Sequence, residues 1–239
     1  KTALVTGGSR GLGRATVERL ARDGAEVWFS YRSDEAAAAA VVEAVRAAGG
    51  TAHAVQADLA GLDGVRALFE AVSAERIDIL VANAGIIDAT PFEEVDEAGF
   101  DAIFDLNVKG VFFTVQAALP RMGEGGRVVL LGTGLTRIVM PQYVTYAAAK
   151  SALTSFTVVL AKYLGARGIT VNLLAPGAID TDMNPWLHTD EGIAAMSSMT
   201  ALGRVGHPED IADVAAFLAS DDARWVTGQR IEASGGQHL

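Results

Sequence analysis

The sequence predicts a single α/β domain built on a doubly wound parallel sheet of about seven strands, with helices on both faces. Three observations carry this. Short apolar strands alternate with helical segments along the chain, the order expected of parallel strands joined by crossover helices. The 239 residues are 50% hydrophobic and 20% charged, which suits one sizeable core. Residues with evident chemistry follow strands, where ligands meet such sheets at their carboxyl edge.

Thr2 to Val5 reads as the first strand and runs into Thr6-Gly-Gly-Ser9-Arg10-Gly-Leu12-Gly13. A helix over about 14–22 follows. Glycines in such a turn let the backbone approach a ligand. The helix start adds free N–H groups and a positive dipole end, so the unit suits a dinucleotide pyrophosphate. The second strand, 25–31, ends in Phe29-Ser-Tyr31-Arg32-Ser33, with no acid before Asp34. An acid ending this strand would hold a ribose 2′-hydroxyl. Its absence, with Arg32 here and Arg10 in the turn, favours a 2′-phosphate over two merely solvated arginines, and so NADPH/NADP+ over NAD.

An alanine-rich helix over about 36–48 is stopped by Gly49-Gly50. The third strand, 51–57, ends in Asp58-Leu59. A helix over about 62–73 and a fourth strand, 77–82, lead to Asn83-Ala84-Gly85. The next helix starts near Asp96 and carries Asn107 in mid-course. An amide there competes with the helix backbone, so Asn107 either faces solvent or marks a local distortion that serves a site. Arg127 to Leu131 forms the fifth strand, followed by Gly132-Thr133-Gly134. A helix beginning near Tyr143 runs to about Leu164, and the sixth strand, 169–174, ends in Ala175-Pro176-Gly177. An irregular stretch over about 178–206, holding Met183, Pro185, Trp186, Met196 and Met199, reads as a substrate lid. Pro208 opens the last helix, with acids in its first turn. Arg230 to Ala233 is a final short strand.

Within the helix after Tyr143, Tyr146 and Lys150 lie four apart and share a face. A free phenol titrates near 10. An ammonium about 4 Å away favours the phenolate by roughly 4 kcal/mol, lowering that value by roughly 3. The spacing therefore predicts a tyrosine with a depressed pKa, able to act as an acid–base catalyst near neutral pH.

Composition narrows the classes. A net charge of −10 opposes nucleic-acid binding. His53, His188, His207 and His238 are scattered and match no metal-ligand spacing. With no cysteine, disulfides and thiolate chemistry are excluded, and a cytoplasmic setting is expected. No uninterrupted apolar run reaches membrane-spanning length, and no signal peptide opens the chain, so no membrane partner is expected. The chain opens at Lys1, already at a strand's edge, leaving room for a few residues before it.

Together these residues resemble the short-chain dehydrogenase/reductase family in its single-domain, Rossmann-like form. The resemblance spans essentially the whole chain. It rests on Thr6-Gly-x-x-x-Gly11-x-Gly13, Asp58, Asn83-Ala84-Gly85, Asn107, Tyr146-x-x-x-Lys150 and Pro176-Gly177, in order and at family spacing. It implies that Tyr146 protonates a carbonyl oxygen as hydride arrives, and that Lys150 lowers the Tyr146 pKa and holds a ribose hydroxyl. Asn107 would bend its helix and hold a proton-relay water. Asp58 and the Leu59 N–H would bind the adenine, and Asn83-Ala84-Gly85 would flank the adenosine. Pro176-Gly177-Ala178-Ile179-Asp180-Thr181 would fix the carboxamide, presenting the pro-S hydride. Gly7, Ser9, Arg10, Gly11, Leu12 and Gly13, with Tyr31, Arg32 and Ser33, complete the implied cofactor set. Gly134, Leu135, Tyr143, Met183 and Trp186 join Thr133 and Tyr146 as the implied substrate contacts.

One position departs. The family usually has Ser thirteen residues before the Tyr, and here that residue is Thr133. Its hydroxyl has the same donor and acceptor set, while the extra methyl restricts χ1 and crowds the pocket. Thr136 lies further along the loop and is the weaker substitute. Two readings follow: an NADPH-dependent reductase of a small-molecule ketone, or a non-catalytic NADP-binding sensor or scaffold on the same fold. The chain looks most similar to 3-oxoacyl-carrier-protein reductases, and Arg167 could meet an acidic carrier. Glu124 in the turn before the fifth strand and the overall charge oppose this, and an apolar ring ketone fits the Met, Trp and Tyr residues near the lid. The resemblance also implies a homotetramer or dimer through the Asp96 and Tyr146 helices, the latter carrying Ala148, Ala152, Phe156, Val159 and Tyr163.

Overall fold

The computed structural model describes residues 1–239. Seven strands form one parallel sheet: β1 (Thr2–Val5), β2 (Glu26–Tyr31), β3 (Thr51–Gln56), β4 (Ile79–Ala82), β5 (Arg127–Leu131), β6 (Thr170–Pro176) and β7 (Arg230–Ala233). The order is β3-β2-β1-β4-β5-β6-β7, and every neighbouring pair is parallel. The strand order reverses between β1 and β4, which opens a crevice at the carboxyl edge.

Central strands buried on both faces need continuous apolar runs, and β4, β5 and β6 are buried at every residue. Alternate residues feed two cores. Ala3, Val5, Val129 and Leu131 face one layer; Leu4, Val128 and Leu130 face the other. Helices α1 (Gly11–Arg22), α2 (Glu35–Ala47) and α8 (Pro208–Ala219) cover the first layer. Helices α3 (Leu62–Ala71), α5 (Val111–Ala118) and α6 (Val144–Leu164) cover the second. Helix α2 turns Ala38, Val41 and Val45 inward, so its alanine run is mostly a solvated face.

Two expectations need correction. The stretch 178–206 is not irregular throughout: a short 3₁₀ turn, Pro185–His188, leads into α7 (Asp190–Ser198). Thr189 caps α7, its hydroxyl accepting the Gly192 N–H at 3.1 Å. The cap and the acids Asp190 and Glu191 were the available signals, masked by the nearby Pro and Trp. The helix after Asp96 is also not continuous. Helix α4 (Glu97–Phe104) passes into a π-helical turn, Asp105–Gly110, before α5. Asn107 sits buried in that turn, so of the two readings of this amide, the distortion is the one observed.

The helical runs Glu97–Arg121 and Pro141–Arg167 each hold an 18-residue window with a mean hydropathy of 1.3, long and apolar enough to cross a membrane. Here they lie side by side against the sheet. One face of each packs into the core, while Phe100, Phe112, Val158, Val159 and Tyr163 remain exposed.

Candidate active site

A single cleft of about 1080 Å³ runs along the carboxyl edge of the sheet. Nearly all the proposed cofactor and substrate residues line it; Asn107, and Asp180 of the segment after β6, do not.

The turn from β1 to α1 is built for close approach. Gly7 and Gly11 have φ of 68° and 52°, where only glycine is unstrained. A side chain at Gly13 would come within 2.0 Å of the Gly7 carbonyl oxygen. Asn83 braces the turn from β4, its amide donating to the Thr6 and Gly7 carbonyls at 2.8 and 3.0 Å. The Thr6 hydroxyl accepts the Asn83 and Ala84 N–H groups at 3.0 and 2.9 Å. Asn83 thus shapes the ligand loop through the backbone. Helix α1 has no side-chain cap and no acid in its first turn, so its N-terminal N–H groups and dipole face the cleft with Ser9 and Leu12.

At the end of β2, Tyr31, Arg32 and Ser33 line the same cleft. Asp34, the first acid, is taken up as the cap of α2, accepting the Ala37 N–H at 2.9 Å. Arg10 and Arg32 are exposed. Arg14, one turn along α1, is paired with Glu18 at 2.7 Å, whereas Arg10 and Arg32 pair with no carboxylate. Beyond β3, Asp58 lies on the wall and closes its own turn by accepting the Ala60 N–H at 3.1 Å. Its neighbour Leu59 is buried.

The reactive end gathers on α6 and the loop after β5. Tyr146 and Lys150 are both buried, at 7% and 3% exposure. The Lys150 Nζ donates to the Leu131 carbonyl at 2.8 Å, and burial lowers its pKa to about 8. The Tyr146 phenol is pushed up to about 12 by burial, against which the Thr133 hydroxyl pulls it down. This corrects the expectation of a tyrosine depressed by Lys150. Burial penalises the phenolate and the ammonium alike, and the Lys150 charge is directed onto a backbone carbonyl.

Thr133 and Tyr146 line the same cleft, with the Thr133 side chain near enough to act on the phenol. The Thr133 Oγ1 also accepts the Leu135 N–H at 3.2 Å. The Thr136 hydroxyl turns back onto the Thr133 carbonyl at 3.0 Å, so Thr136 is no substitute for Thr133. The Asn107 amide forms a closed pair with Ile86, accepting its N–H at 3.2 Å and donating to its carbonyl at 2.9 Å. A side chain at Gly85 would meet Asn107 Oδ1 at 2.6 Å and Lys150 Nζ at 3.3 Å. Asn107 therefore fixes the backbone behind Lys150.

Gly134, Leu135, Tyr143, Met183 and Trp186 line the cleft, as do Pro176, Gly177, Ile179 and Thr181. The Gly177 N–H donates to the Ala233 carbonyl at 3.1 Å. Sequence reasoning missed several wall residues, among them Ile86, Ile138, Met140, Gln142, Gln237 and His238. Gln237 is 5% exposed and its Oε1 accepts the Ala178 N–H at 3.0 Å. The signal was Gly235-Gly236, both at positive φ, which turns the tail back onto the cleft. Four of the five methionines, Met140, Met183, Met196 and Met199, line the cleft.

Residues 7–238 match a family model described as enoyl-(acyl carrier protein) reductase. An uncharacterized oxidoreductase of Methylorubrum extorquens is 46% identical, the match covering 99% of this chain and 97% of that protein. The 3-oxoacyl-(acyl-carrier-protein) reductase of Staphylococcus aureus is 39% identical over 100% of this chain and 98% of its own. Among solved structures, an angucycline C-6 ketoreductase, LanV, with bound NADP superposes with a TM-score of 0.94 at 43% identity, covering 100% of this chain and 96% of its own.

Proposed function

The chain belongs to the short-chain dehydrogenase/reductase family, and from that premise we propose that it reduces a ketone to an alcohol with NADPH by reversible hydride transfer. The observation that carries the proposal is the buried Tyr146 and Lys150 gathered with Thr133 in the cleft that also holds the glycine turn.

The cofactor residues fit NADP. The Gly7–Gly13 turn and the α1 N-terminus suit the pyrophosphate, with Ser9 and Leu12 alongside. Arg10 and Arg32, unpaired at the mouth, suit a 2′-phosphate, with Tyr31 and Ser33 beside them. Asp58 and Leu59 would meet the adenine, Asn83-Ala84-Gly85 the adenosine, Lys150 a ribose hydroxyl, and Pro176, Gly177, Ile179 and Thr181 the carboxamide. Bound NADPH supplies the hydride.

The chain's own groups manage the proton. Burial keeps Tyr146 protonated through neutral pH. It gives up its proton only as charge grows on the carbonyl oxygen, because an alkoxide is a far stronger base than a phenolate. Thr133 donates a second hydrogen bond to that oxygen, stabilising the same developing charge. Lys150 stays largely ammonium below about pH 8 and favours the phenolate left behind. Asn107 acts through Ile86 by holding the segment against which Lys150 packs.

The substrate is a free, apolar ring ketone. Four methionines with Trp186, Leu135 and Tyr143 make the far wall adaptable and aromatic-tolerant. Arg167, the sequence candidate for an acidic carrier, turns its guanidinium inward to the Leu119 and Met122 carbonyls. The segment 178–206, with α7 inside it, acts as the lid over this wall. The absence of cysteine fits a reducing, cytoplasmic setting.

The test is NADPH oxidation by the purified protein with polycyclic ketones, small aliphatic ketones and carrier-linked 3-oxoacyl substrates, wild type against Tyr146→Phe. Turnover of ring ketones, lost in the variant, is expected. Preference for the carrier-linked arm would overturn the substrate assignment. Negligible turnover across every arm, with NADPH still bound, would establish the sensor or scaffold instead.

A further inference from the structure

Behind the Thr133 hydroxyl lies a chain of charges that the proton chemistry above does not use. Glu232 on β7 takes the Arg137 guanidinium on one side, with Nη2 at 2.6 Å and Nε at 3.0 Å. On the other side it takes Arg230 Nη1 at 3.0 Å. The second nitrogen of Arg230, Nη2, donates to the Thr133 carbonyl at 3.2 Å and to the Thr136 hydroxyl at 3.1 Å. The Arg230 and Glu232 side chains are only 25% and 21% exposed. Arg137 reaches the opposite way, donating to the Gln237 and His238 carbonyls at 2.8 and 3.3 Å. One carboxylate therefore ties together the loop of Thr133, strand β7 and the tail that walls the cleft.

The geometry bears on Thr133 itself. Its carbonyl is fixed from outside by Arg230 and Thr136, and its hydroxyl accepts the Leu135 N–H two residues on. Displacement of the Thr133 carbonyl would move the backbone that carries the Thr133 hydroxyl, and with it the contact to the Leu135 N–H. Both acceptors of Arg230 lie in this one loop, and a planar guanidinium holds two acceptors in fixed relation where an ammonium does not. Glu232, gripped by two arginines, sets where the fork points.

We propose that Arg230, oriented by Glu232, is a positioning residue for ketone reduction: it holds the Thr133 loop so that the Thr133 hydroxyl meets the substrate oxygen beside Tyr146. This rests on the assignment of Thr133 as the group that polarises the ketone. A purely structural tie between β7 and the loop would act on stability and cofactor binding instead.

The experiment is a double-mutant cycle on the full chain with a turned-over ketone, reading kcat, KM and NADPH affinity. Arg230→Ala should lower kcat about tenfold or more, the scale of one charge-assisted hydrogen bond, with NADPH affinity held. In a Thr133→Ala background the same change should have almost no further effect, because the group it positions is gone. Arg230→Lys, which keeps the charge without the fork, should fall between, and it serves in both backgrounds if Arg230→Ala does not fold. Equal losses in the two backgrounds, an unchanged kcat, or a loss confined to NADPH affinity would each overturn the positioning role. If Thr133→Ala alone turns over at the wild-type rate, the assignment of Thr133 fails, and the proposal falls with it.

Discussion

Lys150 Nζ donates to the Leu131 carbonyl at 2.8 Å from a side chain that is 3% exposed. The ammonium is held by one backbone oxygen, and burial brings its pKa from 10.5 to about 8. Between those values the unfolded chain binds more protons than the folded one, so stability should rise with pH from about 8 toward 10.5. Below about pH 8 the burial cost, roughly 3 kcal/mol, is fully present. Tyr146 works in the opposite sense: with a folded value of about 12 against 10.0, it should lower stability as pH climbs above 10. Denaturant unfolding from about pH 7 to about pH 10 should therefore show a rising limb that Lys150→Met abolishes. A variant retaining the wild-type slope would place the titration elsewhere. Ketone reduction should decline above about pH 8 as Lys150 loses its charge.

Cofactor choice should follow Arg10 and Arg32. Both stand at the mouth without a carboxylate, while Asp34, the acid nearest in sequence, is committed to capping α2. NADPH should bind more tightly than NADH. Each charge-assisted contact to a phosphate contributes roughly 1.5–3 kcal/mol. Arg32→Ala and Arg10→Ala should each weaken NADPH by about tenfold or more on that scale and leave NADH almost unmoved. Fluorescence titration of both cofactors decides this, and tighter binding of NADH by the wild type would defeat it.

Legibility in the sequence tracked how local each cause was. The strands were readable because β4, β5 and β6 are buried on both faces and must be apolar throughout. The Gly7, Gly11 and Gly13 turn was readable because its backbone demands leave few other residues possible. Asn107 announced itself only as an amide out of place; the π turn and the Ile86 pair needed coordinates. Helix α7 was missed because its apolar residues serve the cleft and a small core of Leu187, Met196 and Val205, without the stripe of a sheet-covering helix. The Tyr146 shift came out with the opposite sign because burial is a property of the whole fold, and spacing along α6 carries none of it. Gln237 and His238 were missed because a tail reaches the cleft only through the turn that Gly235-Gly236 allows, a signal that does not say where the turn leads.

Self-association should use the two long helical runs. Val158, Val159 and Tyr163 on α6 are 56%, 65% and 73% exposed, and Phe112 on α5 is 42% exposed. Apolar side chains of this size, clustered on adjoining helices, gain by being covered. Phe112 already stacks edge-on against Phe156 of α6, so the two helices present one continuous surface. Light scattering should give a dimer or tetramer of the 24.8 kDa chain. Val159→Asp should shift it toward the monomer, since an unpaired buried charge opposes the contact. A wild-type mass near that of one chain would rule the assembly out.

Thr133 and Tyr146 should behave as one unit. The Thr133 hydroxyl already draws the Tyr146 phenol down from where burial places it, so both groups address one point in the cleft. A substrate oxygen at that point would accept from both, and losses from groups acting together are non-additive. Tyr146→Phe removes the proton donor and should cost about 10²–10⁴-fold in kcat while leaving NADPH affinity almost unchanged. Thr133→Ala should remove a large share of the rate, and the double variant should be little worse than Tyr146→Phe. Thr133→Ser keeps the hydroxyl and removes the methyl, so it should retain or raise turnover. Lys150→Ala should differ in kind, weakening NADPH as well as the rate. Steady-state kinetics of the four variants, with cofactor affinity measured beside them, separates these outcomes. Full activity in Thr133→Ala would leave Tyr146 to act alone and would remove the reason for a hydroxyl at position 133.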